Sequence, residues 1–134
     1  MPRFRYDKLV RDHIPRWHIE EGHAVNMSEL GGAELRVALM RKLREEVEEV
    51  EDSLTSAHSH HATREELADV LQVVYDLARS CGMTIDDIER ERQEKERKKG
   101  GFSTGLYIHD ITMPRDDEWV RNCRAQPDKY PEIE

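Results

Sequence analysis

Cysteine is nearly missing from this chain. Cys81 and Cys123 are the only two in 134 residues; they lie far apart and without metal-type spacing, so they read as reduced thiols. No apolar stretch is long enough to span a bilayer, and the opening MPRFRYDK lacks the hydrophobic segment of a secretory signal. The expectation is a cytoplasmic chain with no membrane partner. A basic excess is lacking too: the net charge is -8 and the pI about 5.4, which argues against general binding to nucleic acid, since phosphate binding needs a basic face. Small anionic ligands then need a cation to mediate. Hydrophobic residues make up only 37% of the chain, matched by 37% charged, which implies one domain with a thin core that calls for help from a partner chain.

What is present is helical pattern. FRYDKLVRD reads as a short extended entry in which Tyr6, Leu9 and Val10 supply apolar contacts. Asp12 as N-cap, Pro15 in the first turn and Gly22 at the end mark a helix from about Asp12 to Glu21. Leu35, Leu39, Leu43, Val47, Val50 and Leu54 step by three and four and predict a long amphipathic helix. Small polar residues then break it, and Thr63 with Glu66 three positions on predicts a capping box that opens a third helix closing at Gly82. Thr84 opens a fourth, with Asp86 and Asp87 in its positive first turn, and Gly100-Gly101 stop it. The fold class is therefore all-α: an antiparallel bundle of about four helices, completed by oligomerisation, over residues 1–112. Residues 113–134 read as a non-helical C-terminal arm or a disordered tail.

Two acidic runs, Glu45-Glu46-Val47-Glu48-Glu49 and Glu65-Glu66-Leu67-Ala68-Asp69, fall inside those apolar patterns. At about 100° per residue with Glu46 at zero, Leu39, Leu43, Val47 and Val50 lie near 20°, 60°, 100° and 40°. Glu46 is then about 50° from the apolar centre and Glu49 about 110°, whereas Glu45 and Glu48 are each about 150° away and assigned to solvent. Glu66 and Asp69 flank the apolar stripe of the next helix in the same way. Two helices joined by a short polar loop pack antiparallel, so four carboxylates can meet along one margin of one seam. Crowded beside a low-dielectric core, such acids repel one another unless a cation compensates. Magnesium takes oxygen ligands and keeps waters, which lets it bridge carboxylates to phosphates. A solvated face is the ordinary fate of a charge run; the matching phase in two successive helices favours the cage.

EEVEE with EELAD resembles the ExxE and ExxD motifs of the MazG-like, all-alpha nucleoside triphosphate pyrophosphohydrolases. FRYDKLVRDHIP is similar to the YNKLVRDKIP entry of one branch of that superfamily, and KERKKGGF to its K...RGGF segment, so the resemblance runs from Tyr6 to about Phe102. It implies that Glu46, Glu49, Glu66 and Asp69 hold Mg2+, with Mn2+ as a possible substitute. The implied reaction is hydrolysis of a nucleoside triphosphate to monophosphate and pyrophosphate by a homo-oligomer, dimer or tetramer. Carried over by motif, Lys8, Arg11 and Lys95 are candidate phosphate contacts, with Lys95 also catalytic through the leaving pyrophosphate. Glu49 is the candidate general base. Asp7, His13 and Lys99 depart from the pattern, standing where the family has Asn, Lys and Arg. Two alternatives stay open: a non-catalytic helical interaction module of the same fold, and a pyrophosphohydrolase acting on phosphoribosyl-ATP or a related metabolite.

Other features carry less. His58, His60 and His61 lack a fourth ligand at a recognised spacing and read as a solvated loop. Asp76 shares the Asp69 face two turns on, as an extension of the site or a surface acid. Gly100-Gly101 is a helix stop rather than a phosphate cradle, and Trp17 and Trp119 are packing or oligomer contacts.

Overall fold

The computed structural model describes residues 1–55 and 60–134. Among these there are five helices and no strand: α1 Ile14–Glu20, α2 Gly32–Thr55, α3 His60–Ser80, α4 Ile85–Lys99 and α5 Glu118–Arg124. The chain falls into two compact units, Met1–Lys98 and Lys99–Glu134.

In the first unit α2 and α3 pack on each other, and among the described residues of that unit no other helix pair touches. They run antiparallel: Arg36, near the start of α2, donates from Nη1 to the Ser80 carbonyl at the end of α3 at 3.2 Å. The core between them is as thin as the composition implies. Leu39, Val73 and Ala78 are the buried apolar side chains, joined by the polar Glu46 and Ser53. Val47 and Leu54 of α2, with Leu67 and Leu71 of α3, stay about half exposed or more.

The helix ends explain where the expected boundaries shift. α1 begins at Ile14 with His13 at its N-cap and no side-chain cap, so Asp12 does not serve there; Pro15 does sit in the first turn. α1 and α3 stop in the same manner. Gly82, at φ 76°, donates to the Arg79 carbonyl while Met83 donates to Ala78, and Gly22 and His23 repeat the arrangement on Ile19 and His18. That paired closure needs a left-handed residue after the helix, which glycine supplies without steric cost.

α2 continues to Thr55 and α3 begins by His60, so Thr63 lies inside α3 and the expected capping box is not formed. His60 and His61 are exposed helix residues, His61 pairing with Glu65 at 3.0 Å, rather than parts of a loop; His58 lies outside the described residues. Thr84 does open α4, by reciprocal bonds in which Thr84 N–H donates to Asp87 Oδ2 and Asp87 N–H to Thr84 Oγ1. Among the described residues no helix packs on α4, and ion pairs one turn apart support it, including Arg92 to Glu89 at 2.7 Å and Arg97 to Glu94 at 2.7 Å.

In the second unit the tail is not wholly non-helical. Asp117 accepts from the Trp119 N–H and starts α5, and Arg124 grips Glu132 through two donors at 2.9 and 2.6 Å. Short capped helices of this kind have too few residues to declare an apolar period.

Candidate metal centre

Leu39, Glu46 and Ser53, the buried residues of α2, are spaced by seven and lie within about 40° of one another on the helical wheel. The face that meets α3 therefore centres on Glu46 itself, not on the stripe between Leu39 and Val47. Glu46 is only 8% exposed, and a carboxylate there needs partners. Lys42, one turn earlier, supplies one: its Nζ lies 3.1 Å from Glu46 Oε1 and 3.4 Å from Glu45 Oε1.

Across the seam α3 presents Glu66 and Asp69, one turn apart. One carboxylate oxygen from each of Glu46, Glu66 and Asp69 lies within 4.8 Å of the others. Three of the four acids selected by helical phase thus converge. Glu49, the fourth, is exposed and outside that group, but its charge is felt at Glu66. Burial first, and then the carboxylates of Asp69, Glu49 and Glu46, push the Glu66 pKa above its ordinary value. Glu46 has Lys42 and Asp69 has Arg11 as cationic partners; Glu66 has none among the described residues.

The N-terminal entry docks on this edge. Arg11 Nη2 pairs with Asp69 Oδ1, and Lys8 Nζ with Glu45 Oε1 at 3.3 Å. Glu45 is therefore half-buried between Lys8 and Lys42, not in open solvent as its phase predicts, while Glu48 is exposed as expected. Burial works against the Glu45 charge, yet the two lysines outweigh it and hold its pKa below the usual carboxylate value. The same balance acts on Lys42, where burial is outweighed by Glu46 and Glu45 and the pKa rises. Asp7 adopts a left-handed backbone at φ 43°, a region that Asp tolerates better than most residues, just before Lys8.

Other candidates stand apart. Lys95 is exposed on α4, which touches neither α2 nor α3, and makes no ion pair among the described residues. Asp76 accepts from Gln72 at 3.1 Å and Arg79 at 3.4 Å and is not in the group of three. Trp17 lines a shallow cavity with Ile14, His18, Glu21 and His23, and Trp119 is 67% exposed. Helical phase assigns Glu45 to solvent and does not mark Lys42; the signal for Lys42 is its position four residues before the inward-facing Glu46, an i,i+4 pair.

A hard divalent cation suits this donor set. All three converging side chains are carboxylates, and the one without a cationic partner among the described residues has a raised pKa, the condition that a bound cation relieves. No helix of the described residues is long and apolar enough to cross a membrane.

An all-helical chain whose two longest helices meet at an acidic cluster is a class that known families can specify further. The MazG-like family matches residues 34–103, more than half of the 134. This chain belongs to that family, whose fold is of the nucleotide pyrophosphohydrolase type. The match runs from the first turn of α2 past the end of α4, so it takes in Lys95 and all the acids but not Lys8 or Arg11. No curated protein and no solved structure matches the chain.

Proposed function

We propose that the protein hydrolyses a nucleoside triphosphate to the monophosphate and pyrophosphate, with Mg2+ held by Glu46, Glu66 and Asp69 and with Glu49 at the rim. The observation that carries this reading is the convergence of the three carboxylates within 4.8 Å, in a chain of the MazG-like family. A cation bound there supplies charge neutralisation at the phosphates, with Mn2+ as a substitute.

The chain's own residues do the rest. Lys42 pairs with Glu46 and holds its carboxylate in place. Lys8 and Arg11, on the entry segment at the edge of the seam, are assigned to phosphate oxygens. Glu49, exposed and flanked by other carboxylates, is the group assigned to accept the proton of the attacking water. Lys95 enters through its place before Gly100-Gly101 and is assigned to the leaving pyrophosphate.

The protein works on this reading as a cytoplasmic homo-oligomer, dimer or tetramer. Support comes from the small core and from Val47, Leu54, Leu67 and Leu71, apolar side chains left open on both helices of the packed pair. Nucleic acid is not a partner, given the net charge of -8.

The test is pyrophosphate release from a panel of canonical and modified nucleoside triphosphates and phosphoribosyl-ATP, with Mg2+. Wild type is expected to turn over at least one of them, and Glu66→Gln and Asp69→Asn to lose about a hundredfold or more. Turnover untouched by either substitution overturns the site.

A further inference from the structure

Arg11 holds Asp69 through a charge-assisted hydrogen bond to Oδ1, and Asp69 is one of the three carboxylates that converge. Three residues earlier, Lys8 holds Glu45, a carboxylate outside that group. The two cations of one short segment thus have different targets. Lys8 fastens the segment to the flank of α2, while Arg11 reaches a member of the acidic cluster itself.

We propose that Arg11 is a competitor for the divalent cation built into the chain: it occupies Asp69 until a cation takes that carboxylate, and the guanidinium so released becomes the phosphate-binding group. This rests on the reading of Glu46, Glu66 and Asp69 as a cation site. Two facts favour exchange over permanent pairing. A guanidinium and a divalent cation on one carboxylate are like charges a few ångströms apart, and they repel. The Arg11 side chain is also 58% exposed and Asp69 37% exposed, so the pair is weakly held and the arginine can swing into water at little cost. Its stem lies outside any helix, before α1, and Lys8 keeps the segment nearby after the exchange. A freed Arg11 then sits beside a bound cation with its planar fork of donors open, the geometry suited to phosphate oxygens. Cation first and nucleotide second is the order this implies.

The experiment is titration of the full chain with Mn2+ alone, without nucleotide, by calorimetry, comparing wild type with Arg11→Met, Arg11→Lys and Lys8→Met. Circular dichroism checks that each variant keeps its helices. Arg11→Met is expected to bind Mn2+ roughly two- to fivefold more tightly than wild type. Lys8→Met, which removes the same charge three residues away, is expected to change affinity less, and Arg11→Lys to stay near wild type. Hydrogen exchange supplies an independent readout: amides of residues 8–13 should exchange faster in wild type when Mn2+ is added. Unchanged or weaker binding by Arg11→Met overturns the proposal, and so does equal tightening by Lys8→Met, which marks a general field effect. If wild type binds Mn2+ and only the Arg11 effect is missing, the proposed function stands and this inference falls. A wild type that binds no Mn2+ removes the cation site and both together.

Discussion

The seam between α2 and α3 and the exposed helix α4 are both dense in acids, yet their carboxylates are in opposite states. On α4, Arg92 holds the Glu89 carboxyl below its ordinary range and Arg97 does the same for Glu94. Each acid meets a base one turn along its own helix. At the seam, Glu66 meets Asp69, Glu49 and Glu46 and is pushed the other way. Charge density is the same kind of quantity in both places and says nothing of this difference. What separates them is phase: among the described residues no helix packs on α4 to receive its acids, whereas Glu46 faces another helix. A charge ladder on an unpacked helix supports that helix and little else. Acids brought together across a packed seam store repulsion that a ligand can release.

Removing Lys42 should affect the seam most. Its side chain is 21% exposed and that of Glu46 11%, so Lys42→Met leaves a largely buried carboxylate without its cation, at a cost of about 1–2 kcal/mol. Urea unfolding measures it; an unchanged midpoint means that Lys42 does not hold Glu46. A subtler contrast compares Glu66→Gln with Arg92→Gln in the absence of divalent cations. The folded-state pKa of Glu66 is raised, so the native state binds the extra proton, and ionising Glu66 costs stability as pH rises from its unfolded to its folded value. Above the folded-state value that cost is complete, and Glu66→Gln should there raise Tm by about 2 °C, an advantage that disappears below the ordinary carboxylate range. Arg92→Gln should move Tm by less than about 1 °C, and less again in high salt. Equal shifts at both sites would erase the distinction between seam and ladder.

Much of this was legible in the sequence because periodicity reports which residues share a face. The all-helical class, the long α2, the start of α4 at Thr84 and the meeting of Glu46, Glu66 and Asp69 all follow from it. The centre of the α2 face was misjudged because an apolar stripe can serve more than one purpose. Val47 and Leu54 belong to its open side, and the helix-helix contact runs instead through Leu39, Glu46 and Ser53. That rotation brings Glu45 toward the seam, between Lys8 and Lys42, and does not by itself account for the exposure of Glu49. Ends of helices were harder to read. α1 starts on His13 without a side-chain bond, and α3 starts before Thr63, since tertiary packing and length can extend a helix past a good capping residue. The pairing of Arg11 with Asp69 spans 58 residues, a distance over which no local pattern carries information.

On the proposed function the seam binds a divalent cation and the ladder does not. The most direct measurement is Tm against Mg2+ concentration for wild type, Glu66→Gln, Asp69→Asn and, as the α4 control, Glu89→Gln. Wild type and Glu89→Gln should be stabilised progressively by Mg2+, and the two seam variants should not; stabilisation of all four alike, or of none, contradicts the account.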